Sequence, residues 1–407
     1  MRVMLSVSAW PTHYLSMVPL GWALQSAGHE VRVACAPSQT ETLARAGLTP
    51  VPILTDLDMV RQTRLLYIRD ARDGTWPYPW LPLHPVTGVP LTSLDAFDMA
   101  AYQAEHDRAS HALLRRSCEA AVDFACRWRP ELVLYDPVSF EGMLVARVLD
   151  VPGVVSLWGP VGTAEPPRLC LMPHAPDIFN GYGVTPTRLD EAAHVIDPCP
   201  AELAPPTSAT RLPVRYIPYN GAGEMPPWLL TAPSRRRICV TLGSELTRVA
   251  GHGSFSLAKV LGAVTTLDCE VVVAATARDL ATLPPFPNVR TLESFPLRLL
   301  LPTCSAIVHH GGAGTTMTAL ATGVPQLALT FGVEQHSNGT RLAATYAGLH
   351  LPAHQATTGA VTAAVTALLE QPGHAERAAA LRSDLDVRPP PADLVPILEK
   401  LAIVPAG

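Results

Sequence analysis

Short apolar runs alternate along this chain with longer segments whose apolar residues keep helical spacing. Gly, Pro, Asp or His marks most of the joins. Such alternation predicts strands and helices wound in turn into parallel sheets. Residues 3–7 form the first apolar run and predict a strand, and Trp10-Pro11-Thr12-His13 is the loop after it. Met17, Leu20, Gly21 and Leu24 then share a helical face until Gly28 stops the helix. Residues 31–34 predict the next strand, so the chain opens as β-loop-α-β, the start of a doubly wound sheet. The loop lacks Gly-x-Gly-x-x-Gly, which separates it from nicotinamide- and flavin-binding turns.

The rhythm breaks at residues 56–100, which read as irregular, carrying Trp76-Pro77-Tyr78-Pro79-Trp80 and further prolines. Long loops of this kind in a compact domain are functional or mobile. Helical spacing returns over 95–128. A strand at 132–135 ends in Asp136, a helix closes at 146–149, and a strand follows at 153–157. Residues 197–228 are proline-rich and polar and read as an interdomain connection. A second series of strands is predicted at 237–242, 270–275, 289–292, 306–308 and 326–329, with helices between them. After Pro389-Pro390-Pro391, Asp393 can cap a last helix that runs to 401 and tolerates Pro396 in its first turn. The expectation is an α/β protein with two Rossmann-like domains. They are an N-terminal one over 1–220, a linker over 221–235, a C-terminal one over 236–388, and a closing helix over 389–407.

Composition narrows the class. A chain of 407 residues, 48% hydrophobic and 16% charged, supports two full cores. A net charge of -5 argues against a nucleic-acid surface. Among 30 basic residues only Lys259 and Lys400 are lysines, and Arg235-Arg236-Arg237 reads as the solvated start of a strand. The eight cysteines contain no Cys-x-x-Cys pair, and several sit among apolar residues, as reduced thiols of a cytoplasmic protein do. Pro11 and His13 interrupt the first apolar run too early for a signal peptide, and no run is long enough to span a membrane.

The chemistry concentrates at Val308-His309-His310-Gly311-Gly312-Ala313-Gly314-Thr315-Thr316. A strand, a glycine turn and a helix start, with Gly323 and Pro325 ending that helix, build an anion site from free N–H groups and the helix dipole. Imidazole and threonine hydroxyls add donors suited to phosphate. A glycine turn that merely packs a helix remains the alternative. His13 and Asp136 both follow strands at carboxyl ends, where open α/β sheets bind ligands. A carboxylate beside an imidazole raises its basicity for hydroxyl activation, whereas Asp136-Pro137 also fits a plain turn. Glu334-Gln335 follows the strand at 326–329 and can grip sugar hydroxyls or begin a helix. The aromatic loop residues Trp10, Trp76, Tyr78 and Trp80 suit a hydrophobic small molecule. Asp56-Leu57-Asp58 and Asp384-Leu385-Asp386 look like metal-binding Asp-x-Asp but lie away from strand ends, so both read as surface and no metal is expected. Asn338-Gly339-Thr340 matches a glycosylation acceptor that a cytoplasmic protein does not use.

Together, Thr12-His13, Gly28-His29-Glu30-Val31, His309-His310-Gly311-Gly312-Ala313-Gly314-Thr315-Thr316 and Gly323-Val324-Pro325-Gln326 resemble the family 1 glycosyltransferases of GT-B fold. More narrowly they resemble the bacterial natural-product branch that decorates macrolides and enediynes in antibiotic and other secondary-metabolite biosynthesis. The resemblance implies two Rossmann-like domains facing across a cleft, acceptor on the first and nucleotide sugar on the second. It places His13 on the catalytic base and Asp136 on its carboxylate partner. His310, Gly312, Gly314 and Thr315 fall on diphosphate contacts, joined by Thr12, Gly243 and Ser244, and Phe295-Pro296 on the backbone that reads the base. The departures are Glu334 for the usual aspartate before Gln335, Ser294 for a base-stacking aromatic, and Ser16 for a proline. Tyr219-Asn220-Gly221-Ala222-Gly223 is similar to a subgroup acting on macrolide-type acceptors, some with a helper protein.

The implied activity is inverting transfer of a hexose or deoxyhexose from a dTDP- or UDP-sugar to a hydrophobic aglycone, without metal or other cofactor. A nucleotide-sugar 2-epimerase of the same architecture and a non-catalytic helper of this fold are the alternatives. Retention of both His13 and His310 speaks against the helper. A helper partner and a homodimer stay open.

Overall fold

The computed structural model describes residues 1–10, 12–95, 98–165, 175–251 and 257–403. The chain forms two compact units. The first comprises Met1–Leu57, Arg108–Ala222 and Ser383–Gly407, and the second Asp58–Asp107 and Gly223–Arg382. The first unit holds seven strands. They are Arg2–Ser6 (β1), Glu30–Ala34 (β2), Pro50–Val51 (β3), Leu132–Tyr135 (β4), Gly153–Ser156 (β5), His194–Asp197 (β6) and Thr210–Pro213 (β7). All pair in parallel, in the order β3-β2-β1-β4-β5-β6-β7.

Alternate residues of β1 feed two cores. Val3 and Leu5 join the cluster with Val31, Val33, Leu132 and Leu134, while Met4 joins Val133, Tyr135 and Val155 on the other face. Burial on both faces explains why these strands read as unbroken apolar runs. Leu394, Val395 and Leu398 of the last helix, Pro391–Ile403, pack into the first of these cores. That helix begins before Asp393, which lies inside its first turn rather than at the cap, and Pro396 falls in the helix interior.

The second unit holds Arg237–Thr241 (β8), Glu270–Ala275 (β9), Val289–Glu293 (β10), Ala306–His309 (β11), Gln326–Thr330 (β12) and Gly348–Pro352 (β13). They form a parallel sheet in the order β10-β9-β8-β11-β12-β13. Its core joins Cys239, Val272 and Ile307 of the strands to Leu300, Ala319 and Val324. In both sheets the winding direction reverses at one strand pair, β1/β4 and β8/β11, and loops after those strands open the crevice where such sheets bind ligands.

Four expectations are corrected. Residues 56–100 are not irregular throughout, because Met59–Arg72 is a helix capped by the Asp58 carboxylate. Nor do residues 58–107 belong to a continuous domain over 1–220. Their rings pack with Phe331 in the second unit, and the Tyr78 hydroxyl donates to the Phe331 carbonyl at 3.1 Å. Residues 197–228 are more than a connection, since β7 adds an edge strand that tolerates Pro213 and buries Leu212. Arg237 is no solvated strand start. It is 2% exposed, bonded to Glu270 through two nitrogens and held over the Trp228 ring.

Cys35, Cys118, Cys199, Cys239 and Cys269 are buried free thiols, and Cys170 lies outside the described residues. Among the described residues no helix is long and apolar enough to cross a membrane.

Candidate active site

The loop after β1 is tied to the loop after β4. Asp136 is fully buried at the end of β4, and its carboxylate accepts the Ser8 N–H at 2.6 Å and the Val138 N–H at 2.9 Å. Gln39 holds the same loop from the other side by donating to the Ser8 carbonyl at 2.5 Å. Burial lifts the Asp136 carboxyl to about 6, although those backbone donors oppose the lift. His13 opens the helical turn His13–Met17 and is 6% exposed. Burial drops its imidazole to about 3, so the ring is neutral near pH 7 and one nitrogen keeps its lone pair free of a proton.

The expected His13–Asp136 hydrogen bond is not made. His13 Nδ1 is enclosed without a partner, and the Asp136 oxygens are held by backbone. A second ring fixes the imidazole instead. Trp158, just past β5, stacks on His13 with centroids 3.7 Å apart and planes at 15°. Trp10 stands at 5.9 Å on the same ring, and Thr12 is exposed beside it.

In the second unit the two histidines after β11 have separate duties. His309 is buried and its hydrogen bonds stay inside the fold. Its Nδ1 accepts the Gly311 N–H at 3.1 Å, and its Nε2 pairs with Gln326 Oε1 at 3.0 Å. Gln326 in turn donates to the Thr316 carbonyl at 3.2 Å. Asn338 closes the turn by donating to the Gly311 carbonyl at 3.0 Å. A fully buried Asn338 also rules out the glycosylation motif on steric grounds.

His310 lies between two glycines. A Cβ at Gly243 would come within 2.5 Å of its Cε1, and one at Gly312 within 2.3 Å of its Nε2. Gly243 also has φ +73°, which disfavours any other residue. The His310 Nδ1 is enclosed with no partner, and burial lowers the ring to about 4, leaving it neutral. Gly312 is the N-cap of the helix Ala313–Thr322 and, as a glycine, brings no side chain to that cap. A Cβ at Gly314 would meet nothing within 4 Å, and Ser244 is exposed on the loop after β8. The helix start thus offers backbone donors, the Thr315 hydroxyl and a neutral imidazole to an anion.

Phe295 and Pro296 follow β10. Ser294 takes a left-handed φ of +44°, Pro296 caps Leu297–Leu300, and a Cβ on Gly223 would fall 2.4 Å from the proline ring. Glu334 and Gln335 lie in the first turn of the helix Val333–Ala344. A Cβ on Gly332 would meet Gln335 Oε1 at 2.4 Å and the Tyr67 hydroxyl at 3.0 Å. Trp76, Tyr78 and Trp80 therefore stand on the side of this unit that carries Glu334. Tyr78 stacks on Phe331 at 4.4 Å, and Trp76 meets both Tyr67 and Phe331 edge-on or tilted.

The Asp-x-Asp segments have structural partners. Asp58 caps a helix, Asp56 accepts from Ser38, and Asp384 accepts the Ala201 N–H. Among the described residues no group of three His, Cys, Asp or Glu is placed to hold a metal. Sequence reasoning missed Trp158, Tyr67 and Asn338. Trp158 was within reach, since it follows a predicted strand at the same edge as His13 and Asp136.

Two doubly wound parallel sheets, each opening loops at its winding reversal, give the GT-B fold of the glycosyltransferases that this chain resembles in structure. The chain belongs to the erythromycin biosynthesis protein CIII-like family of bacterial natural-product glycosyltransferases. Its N-terminal domain matches residues 22–67 and 107–243, and its C-terminal domain matches 258–401. The chain is 35% identical to the 10-deoxymethynolide desosaminyltransferase of Streptomyces venezuelae, across 99% of this chain and 97% of that protein. It is 34% identical to the 3-alpha-mycarosylerythronolide B desosaminyl transferase of Saccharopolyspora erythraea, across 99% and 98%. The solved spinosyn rhamnosyltransferase SpnG, complexed with thymidine diphosphate, superposes with a TM-score of 0.76 at 29% identity. It covers 98% of this chain and 100% of that one. The protein is an enzyme that glycosylates natural-product aglycones.

Proposed function

We propose that the enzyme moves a deoxysugar from a dTDP-sugar to a hydroxyl of a hydrophobic, macrolide-type aglycone, with inversion at the anomeric carbon and without a metal. The observation that carries the donor half is the neutral His310 ring held between Gly243 and Gly312 beside a helix start whose cap is a glycine. The thymidine diphosphate bound to the SpnG relative and the desosaminyl transfer named for two others support the choice of base and sugar class.

In this reading Gly243, Ser244, Gly312, Gly314, Thr315 and His310 hold the diphosphate. Phe295 and Pro296 border the nucleobase, and Glu334 and Gln335 hold sugar hydroxyls. Trp10 borders the aglycone. His13 accepts the proton of the aglycone hydroxyl as its oxygen forms the new bond to the anomeric carbon, and the bond to the diphosphate oxygen breaks. The departing negative charge falls on donors aligned before the reaction starts, which is the arrangement that lowers such barriers most.

The test is transfer from defined dTDP- and UDP-sugars to a panel of aglycones, followed by mass spectrometry and NMR coupling constants of the product. An anomer opposite to that of the donor, formed equally well in EDTA, is expected. Retained configuration, or an absolute need for magnesium, overturns the single metal-free displacement. Removing a positioned base lowers rate by about 10²–10⁴-fold, so His13→Ala should lose kcat on that scale while thymidine diphosphate binding is kept.

A further inference from the structure

The imidazole of His13 lacks the partner that a general base ordinarily has. Its Nδ1 is enclosed and unbonded, and the acid that follows the neighbouring strand β4, Asp136, gives both oxygens to the backbone of Ser8 and Val138. Something else must fix the plane of the ring and steady the positive charge it gains. The only ring in stacking contact with it among the described residues is Trp158, 4% exposed, at 3.7 Å and 15°. Trp158 comes from the loop after β5, so three neighbouring strands of the first sheet converge here. We infer that Trp158 is the positioning residue for His13: its indole face holds the imidazole plane and stabilises the imidazolium formed on proton transfer.

The physical basis is the negative face of the indole. A neutral imidazole stacks on it by dispersion, but an imidazolium also meets the ring quadrupole, and Trp provides the strongest such face. The contact therefore strengthens as the acceptor proton arrives, so it favours the transition state over the resting state. Asp136 acts one step away, by tethering the loop that carries His13.

The inference rests on His13 being the base, and the variants separate the two claims. Trp158→Leu keeps an apolar filler and removes the quadrupole, while Trp158→Phe and Trp158→Tyr keep an aromatic face of lesser strength. Loss of a desolvated cation–π contact should lower kcat about 10- to 30-fold in the leucine variant. KM for donor and aglycone should stay within about twofold, because Trp158 is placed against His13 rather than against substrate. The phenylalanine and tyrosine variants should recover most of the rate despite similar melting temperatures.

Equal kcat in wild type, Trp158→Leu and Trp158→Phe, with His13→Ala inactive, overturns this inference alone. Full activity in His13→Ala overturns the base assignment and this inference with it. Should Trp158→Leu fail to fold, the order Trp over Tyr over Phe in kcat still decides, and a flat series overturns the role. A large loss of kcat in Asp136→Asn at unchanged melting temperature would return the imidazolium to Asp136 and also overturn it.

Discussion

His310 has almost no room to move. Added methyl groups at Gly312 and Gly243 would reach 2.3 Å and 2.5 Å from its ring, well inside any non-bonded contact of carbon with carbon or nitrogen. Gly312→Ala should therefore push the imidazole off its position without touching any phosphate contact of its own side chain. The loss of one imidazole donor to a charged oxygen corresponds to about 1.5–3 kcal/mol. Thymidine diphosphate should accordingly bind ~10- to 100-fold more weakly to both His310→Ala and Gly312→Ala by calorimetry. The double variant should be no weaker than either single one, because the same ring is lost in each case. Additive losses would mean that Gly312→Ala weakens binding by a route independent of the His310 ring. Asp136→Asn tests another residue. An amide can accept only through one oxygen, so a Ser8 or Val138 N–H is left unpaired and melting stability falls by roughly 1–3 kcal/mol.

At the scale of elements, the order and type of the strands could be read because burial on both faces writes a strand as an unbroken apolar run. Residues 132–135, 270–275 and 326–329 are of this kind, and the strands over them are Leu132–Tyr135, Glu270–Ala275 and Gln326–Thr330. The edges escaped. Pro50–Val51, Thr210–Pro213 and Gly348–Pro352 carry proline or glycine and bury little, so their pattern has no period to detect. The helix Met59–Arg72 was hidden differently, by its arginines and by the prolines that follow it.

Which unit that segment joins is a tertiary matter, settled by Tyr67, Trp76 and Tyr78 meeting Phe331. In the site, single-residue positions after strands were legible, whereas the link from His13 to Asp136 was not, because a hydrogen bond depends on atoms rather than on order along the chain. The aromatic element makes its own prediction. Tyr78→Phe removes only a hydroxyl-to-carbonyl bond and should lower stability by about 0.5–1.5 kcal/mol. Tyr78→Ala removes the stacked ring and should lower it by about 3–5 kcal/mol. If the cluster holds the turn before Glu334, the alanine variant should also raise KM for the nucleotide sugar while thymidine diphosphate affinity stays level. A rise in aglycone KM alone would place these rings with the acceptor.

For the molecule as a whole, the two units should answer acid in opposite ways. In the second unit His309 is lowered to about 3 and His310 and His350 to about 4, each mainly by burial, from an ordinary value of 6.5. Between pH 7 and 5 their unfolded forms take up protons that the folded forms refuse, so stability present above 6.5 is lost as pH falls. In the first unit His13 behaves alike, but two buried acids oppose it. Burial lifts Asp136 to about 6 and Glu141 to about 7, against ordinary values of 3.8 and 4.5. Folded carboxyls of this kind hold protons that the unfolded chain releases, so their contribution is present at low pH and fades as pH rises through 6 to 7. Acidification to pH 5 therefore restores part of it, and the rest returns below 3.8 to 4.5. The exposed carboxylates Glu30, Asp177 and Asp190, lowered by hydrogen bonds to Trp128, His111 and Arg188, titrate below this window and are screened by salt. Amide hydrogen exchange, corrected for intrinsic rates, should show protection falling in β8, β11 and β12 from pH 7 to 5 while β1 and β4 hold level or gain. Glu141→Gln, which removes one compensating acid, should make the first unit acid-sensitive as well. Greater loss in β1 and β4 than in β8 and β11 in the unaltered protein would show that the buried acids do not offset His13.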